Sequence, residues 1–243
     1  MVFWIGLTIL GIIFLYAGLP WIYARWLRLL LKVRVTNLRA VVLTFDDGPS
    51  SHNGLGPKLT STILDILAEH NVKATFFLLG RQIPGREAIV RRIAVAGHEI
   101  GSHGYDHLNY WKVSPLRALT DINRGWQVID ATLGTNRDTY PFRPPYGKLN
   151  LICLLYLWIR RVPIVYWTFD LGDTWPSYKR DKQRIATLMK KSRGAVVLAH
   201  DFERNNKDTN KMVLESLRLI LAQAKEKRIP ILTVSQLLES HDQ

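Results

Sequence analysis

Residues 2–24 carry no charged side chain and include Phe3-Trp4-Ile5, Ile12-Ile13-Phe14-Leu15 and Trp21-Ile22-Tyr23. A helix needs about 20 such residues to cross a hydrocarbon core about 30 Å thick. Trp4 near one end, with Trp21, Tyr23 and Trp26 near the other, matches paired interfacial aromatic belts. The pattern predicts a retained single-pass anchor over residues 1–24. It argues against a cleaved signal peptide, because the run is too long, no basic residue precedes it and no clear A-x-A site follows it. A basic juxtamembrane stretch, residues 25–38, separates the anchor from the rest.

After about residue 38 the pattern changes to short apolar β-type runs alternating with amphipathic stretches. The runs predict strands at 41–45, 74–79, 98–101, 140–143, 164–169, 195–199 and 230–234. Between them, Leu59, Ile63, Ile66 and Leu67 form one helical stripe, and Met212, Val213, Leu217, Ile220 and Leu221 another. Ser114-Pro115 reads as an N-cap followed by proline at the first helical position. Leu116, Leu119, Ile122, Trp126, Ile129 and Leu133 continue that helix, and Gly134 ends it. About seven strands alternating with helices predict an α/β fold with a mostly parallel sheet, in a number that suits closure into a (β/α) barrel. Residues 39–240 form one domain, with no internal repeat or low-complexity segment. The apolar run 149–159 is too short to span a bilayer, so a buried helix is expected there, with a membrane-contacting face as the alternative.

Charge alters this picture only modestly. The chain has 33 Lys and Arg against 20 Asp and Glu, a net charge of +13. Such an excess suits phospholipid headgroups, nucleic acid or acidic glycans, and it equally describes a solubilising surface. No zinc-finger or RNA-binding aromatic signature accompanies it, so no nucleic-acid partner is expected. Arg25, Arg28, Lys32, Arg34 and Arg39 all follow the apolar span. The positive-inside rule therefore favours a cytoplasm-facing domain, with an extracytoplasmic one as the alternative, and the same cations could bind anionic lipid. The single Cys153 excludes an intramolecular disulfide and a Cys-rich zinc site.

Candidate chemistry gathers just after the expected strands, where α/β sheets build active sites. Asp46-Asp47 leaves the first strand, and Gly48-Pro49 forces a turn. One carboxylate there could bind a cation while its neighbour acts as a base, or the stretch could be a plain Asp-rich turn. His103 and His107, four apart after the third strand, would share a face if the segment is helical and could then ligate one metal, although chance HxxxH spacings are common. Arg143, stiffened by Pro144-Pro145, could grip a carboxylate or be a surface residue in a proline turn. Asp170 and Asp173 follow the fifth strand beside Trp175, and His200 ends the sixth.

In order, these groups read TFDDGP, HGYDH, RPPY, DLGDTW and LAH. Over about residues 38–239 the chain resembles the polysaccharide deacetylase family, also called the NodB-homology family or carbohydrate esterase family 4. The resemblance implies a distorted, incomplete (β/α) barrel and metal-dependent removal of N-acetyl groups from amino sugars. It implies that Asp47, His103 and His107 bind a divalent metal, usually zinc. Asp46 would be the general base, His200 the general acid, Arg143 the residue orienting Asp46, and Asp173 the residue tuning His200. The backbone of Tyr146 would hold the oxyanion, and Trp175 and Leu198 would line the acetyl-methyl pocket.

The chain departs from the family pattern twice. Gly104 stands where Ser or Thr is common, which predicts loss of a hydrogen bond that steadies the metal loop. Thr174 separates Asp173 from Trp175, which leaves Asp170 as an alternative to Asp173. The expected substrate is an N-acetylated glycan of the N-acetylglucosamine type, or a lipid-linked amino sugar, with formyl as the alternative acyl group. A non-catalytic glycan-binding protein on the same fold is the competing reading.

Overall fold

The computed structural model describes residues 2–50, 59–137, 139–174, 182–190, 194–202 and 207–240. The N-terminal residues form one helical rod made of α1 (Val2–Ile13), a π-helical turn (Phe14–Gly18) and α2 (Leu19–Asn37). The π turn sits one step before Pro20, whose ring would otherwise meet the Tyr16 carbonyl. Leu19 N–H instead reaches back to the Phe14 carbonyl. Among the described residues, the helix Phe3–Asn37 is long and apolar enough to cross a membrane.

The rod does not end at the domain; it enters it. Ala24, Leu31 and Val35 of α2 are buried in a cluster with Val42, Phe77, Val165 and Val196. Leu31 and Val35 each contribute about 1.5–3 kcal/mol on burial, so α2 is held firmly.

The chain then runs through β1 (Val41–Asp46), α3 (Leu59–Glu69), β2 (Thr75–Leu78), a 3₁₀ turn (Gly80–Gln82), α4 (Glu87–Val95) and β3 (Glu99–Ser102). It continues with α5 (Pro115–Leu133), a second 3₁₀ turn (Pro145–Gly147), α6 (Leu151–Ile159), β4 (Phe169–Asp170) and α7 (Lys182–Lys190). β5 (Ala195–His200), α8 (Lys207–Glu226), β6 (Ile231–Leu232) and α9 (Val234–Glu239) complete it. All strand pairs are parallel, in the order β3-β2-β1-β5-β4, with β6 on the first residues of β1.

Strand alternation sorts the side chains. Val41, Leu43 and Phe45 of β1 enter the large core with Leu59, Ile63, Ile66 and Leu67 of α3, and with Val213, Leu217, Ile220 and Leu221 of α8. Val42, Thr44 and Asp46 therefore occupy the opposite face, which α2 and α9 cover at its lower end. The catalytic-looking residues lie on that face, at the upper strand ends.

Two expectations from the sequence need correction. Among the described residues the sheet has six strands against about seven expected, and residues 140–143 contribute only a bridge at Phe142, to Ser102 on one side and Ile164 on the other. Pro141, Pro144 and Pro145 lack the N–H that a ladder requires. The second concerns α6, expected to be buried: Cys153 and Leu157 face the core, but Ile152, Leu155, Trp158 and Ile159 are exposed. The caps of α5 follow the sequence, with the Ser114 side chain accepting from Arg117 N–H and Gly134 in the left-handed conformation at φ +65°.

Candidate active site

Asp46 ends β1 and His200 ends β5, and the two are directly paired across the parallel ladder. They therefore point to the same side of the sheet. Leu198, two residues before His200, shares that face and is buried.

Asp46 is almost fully buried. Its Oδ1 accepts a hydrogen bond from Arg143 Nη1 at 2.7 Å, and the same nitrogen donates to Thr44 Oγ1 at 2.6 Å. Arg143 is wholly enclosed, donating further to the Val165 and Tyr166 carbonyls, with its guanidinium 4.2 Å from the centre of the Phe77 ring. Burial raises the Asp46 pKa despite the opposing pull of Arg143 and His200.

Asp47, His103 and His107 come together beside it. The two Nε2 atoms lie 3.6 Å and 3.4 Å from Asp47 Oδ1, and one ligand atom from each residue falls within 4.8 Å of the others. His103 Nδ1 is 2.7 Å from the Arg143 carbonyl, which can only accept, so Nδ1 carries the proton and Nε2 presents its lone pair. Burial holds this ring neutral, with its pKa lowered to about 3. Asp47 Oδ1 is buried with no hydrogen-bond partner among the described residues. A carboxylate oxygen left orphaned between two imidazoles, one of which presents its lone pair, fits a divalent cation, zinc among them. The structure thus brings together the three residues that the family resemblance names as metal ligands.

The backbone around this cluster is strained in a telling way. Asp47, His107 and Tyr146 are non-glycine residues at φ +70°, +58° and +57°. Such left-handed conformations cost energy and gather at functional sites. The exposed Tyr146 ring packs edge-on against His107 with centroids 4.5 Å apart. Gly147 and Lys148 N–H bond back to the Pro144 and Pro145 carbonyls, whereas Tyr146 N–H makes no hydrogen bond among the described residues.

His200 is gripped twice by Asp173. Its backbone N–H donates to Oδ2 and its Nδ1–H to Oδ1, each at 2.8 Å. Burial acts to lower the His200 pKa, but the Asp173 carboxylate outweighs it and the ring is pushed up to about 9. Asp170 instead accepts from Gly172 N–H. The intervening Thr174 thus leaves the contact between Asp173 and His200 intact. Trp175 lies outside the described residues.

Three contributors escaped the sequence reading. Thr44 shares the Arg143 nitrogen with Asp46. Asp121, buried on α5, accepts from Tyr105 N–H, Asp106 N–H and Tyr110 Oη–H, and so ties down the loop between the two histidines. This corrects the expectation for Gly104. Its φ is +78° and an added Cβ would lie 2.4 Å from Asp121 Oδ2, so glycine admits a carboxylate that supplies the steadying bonds. A legible signal existed, since Asp121 interrupts the apolar stripe of α5. Asp201 is the third: it is buried against Gly48, accepts from Thr60 Oγ1 at 2.8 Å, and burial raises its pKa to about 7.

A profile of the family described as polysaccharide deacetylase matches residues 34–156, and the chain belongs to that family, whose members include hydrolases of N-acetyl amides. The peptidoglycan-N-acetylglucosamine deacetylase PgdA of Listeria monocytogenes is 33% identical over 202 residues, covering 83% of this chain and 39% of its own length. This chain spans 31–39% of the length of the first curated relatives it matches. The crystal structure of the Bc1960 peptidoglycan N-acetylglucosamine deacetylase aligns with a TM-score of 0.70 at 30% identity, over 83% of this chain and 89% of that one. BA3943, a family 4 pseudoenzyme from Bacillus anthracis, aligns at 0.64 and 25% identity, over 84% of this chain and 66% of its own.

Proposed function

We propose that this chain is a metal-dependent deacetylase that hydrolyses the N-acetyl amide of an amino sugar of the N-acetylglucosamine type, in a glycan or glycolipid, releasing acetate. One observation carries the reading: a carboxylate gripped by arginine and a histidine gripped by aspartate lie side by side on one face of β1 and β5, beside an Asp-His-His cluster. The sheet, with its bridges through Phe142 and Ile164, is read as a distorted, incomplete barrel.

In this proposal Asp47, His103 and His107 hold the ion, zinc being the expected one. When bound, such an ion supplies Lewis acidity that brings the pKa of a water from 15.7 to about 7. Asp46 takes a proton from the attacking water. Arg143 occupies its Oδ1, which leaves Oδ2, 3.9 Å from His103 Nε2, turned towards the cluster. The Tyr146 N–H is available to donate to the oxyanion that develops on the acetyl oxygen. His200, protonated at neutral pH because of Asp173, hands a proton to the departing nitrogen. Without that proton the amine is a poor leaving group and the tetrahedral adduct collapses back to amide. Leu198 and Trp175 are assigned to the methyl pocket.

Acetate release from chitooligosaccharides and from a lipid-linked N-acetyl amino sugar, run beside metal analysis, tests this reading. Chelation should abolish turnover and added zinc should restore it. A chain that binds glycan and metal but releases acetate from neither substrate would be a glycan-binding protein instead.

A further inference from the structure

The apolar rod and the domain meet too early for a simple anchor. Residues 2–24 are uncharged, yet the rod is half-buried against the domain from Tyr16 onwards. Tyr16 Oη–H donates to the Val113 carbonyl, and a groove of about 400 Å³ lies between Leu10, Phe14 and Trp21 of the rod and Trp111 of the domain. The rod's π turn also packs on α6. Residues 3–15, exposed along the rod, reach only about 20 Å at 1.5 Å per residue. A hydrocarbon core is about 30 Å thick. A bilayer that covers the uncharged run must therefore take in the domain surface beside it.

That surface is built for such contact. Ile152, Leu155, Trp158 and Ile159 fall at helical spacing on one face of α6, and Trp158 and Ile159 are 70% and 72% exposed. Leu116, one turn beyond Val113, is exposed as well. Exposed cations border the patch at Lys112, Arg117, Arg160 and Arg161, as at the edge of an interfacial helix facing anionic headgroups.

We infer that the outer face of α6 lies in the domain-side leaflet of the bilayer that the N-terminal helix enters, so that the domain is partly sunk at the headgroup–acyl boundary. The inference rests on reading that helix as a membrane anchor. It also bears on the substrate. Only residues 147–150 separate Tyr146, at the site, from α6, which is about 14 Å long. The site mouth then opens close to the headgroups, where a saccharide carried on a lipid would present its sugar.

Full-length protein in phosphatidylcholine–phosphatidylglycerol vesicles, with spin-labelled acyl chains, decides the matter. Cysteines are introduced singly as Leu155→Cys, Ile159→Cys, Ile9→Cys and Glu69→Cys and carry an environment-sensitive fluorophore; the native Cys153 is buried. Glu69 ends α3, and packing places α3 beyond α5 and α4 from α6. Labels at 155 and 159 should be quenched as strongly as at 9, several-fold more than at 69. Quenching at 9 with none at 155 and 159 would overturn the inference and leave the anchor standing. No quenching at 9 would overturn both. Separately, Trp158→Ser with Ile159→Ser should slow turnover of a vesicle-embedded substrate about tenfold while sparing soluble chitooligosaccharides; equal effects on both would break the link to substrate. If the parent chain turns over neither, the deacetylase reading fails while the quenching pattern still decides the membrane contact.

Discussion

Asp46 and Arg143 form a buried pair in which each group answers the other's charge. Asp46→Asn keeps the shape and most hydrogen bonding but removes the proton acceptor. Turnover should fall by about 10²–10⁴, while metal analysis shows Asp47, His103 and His107 still loaded. Near wild-type activity would make the base assignment wrong. His200, the proposed acid, should supply the pH dependence. Its pKa is raised to about 9 from 6.5, so pairing with Asp173 contributes stability that is complete below about 6.5 and lost as pH rises through about 9. A general acid must also carry its proton, so kcat/KM should decline above about pH 9. An alkaline limb that persists unchanged in His200→Gln would assign it to another group.

Elements bring these residues into register. Because β1 and β5 are parallel neighbours, one ladder step sets Asp46 against His200, and the alternation of β5 adds Leu198 below it. The loop between the two histidines has no regular structure of its own; α5 holds it through Asp121. Asp121→Ala should therefore weaken metal affinity about 10–100-fold without removing a ligand, as measured by titration of the metal-free protein. Gly104→Ser, although it restores the commoner residue of the family, should be worse than neutral, because the new Cβ meets Asp121 and Tyr110 in a left-handed conformation. Apolar runs with clean ends became β1, β2, β3 and β5, whereas α4 and α7 went unnoticed. The expected strand at 230–234 stops at Leu232 because Thr233 opens α9 with a capping box to Gln236, a local signal that was there to be read.

For the whole molecule, the proposed anchor sets a prediction about the membrane face on which the domain sits. The cations Arg25, Arg28, Lys32, Arg34 and Arg39 follow the apolar run, and this asymmetry supports a cytoplasmic domain. A reporter fused to the C-terminus should be active on that side; activity only on the outer side would sink the orientation and admit wall polymers as substrates. Residue chemistry and its order along the chain were determined by the sequence alone: the Asp pair, the spaced histidines, the arginine before prolines, and an apolar run of membrane length. Those features are local, read within a strand end or a helical turn. What tertiary structure decided lies between distant positions. Asp46 meets Arg143 across 97 residues, and His200 selects Asp173 over Asp170 across 27. The same holds for Asp121 beneath Gly104 and for the outward face of α6. Periodicity marks which side of a helix is apolar, but only the packed neighbours settle whether that side meets a core or a bilayer.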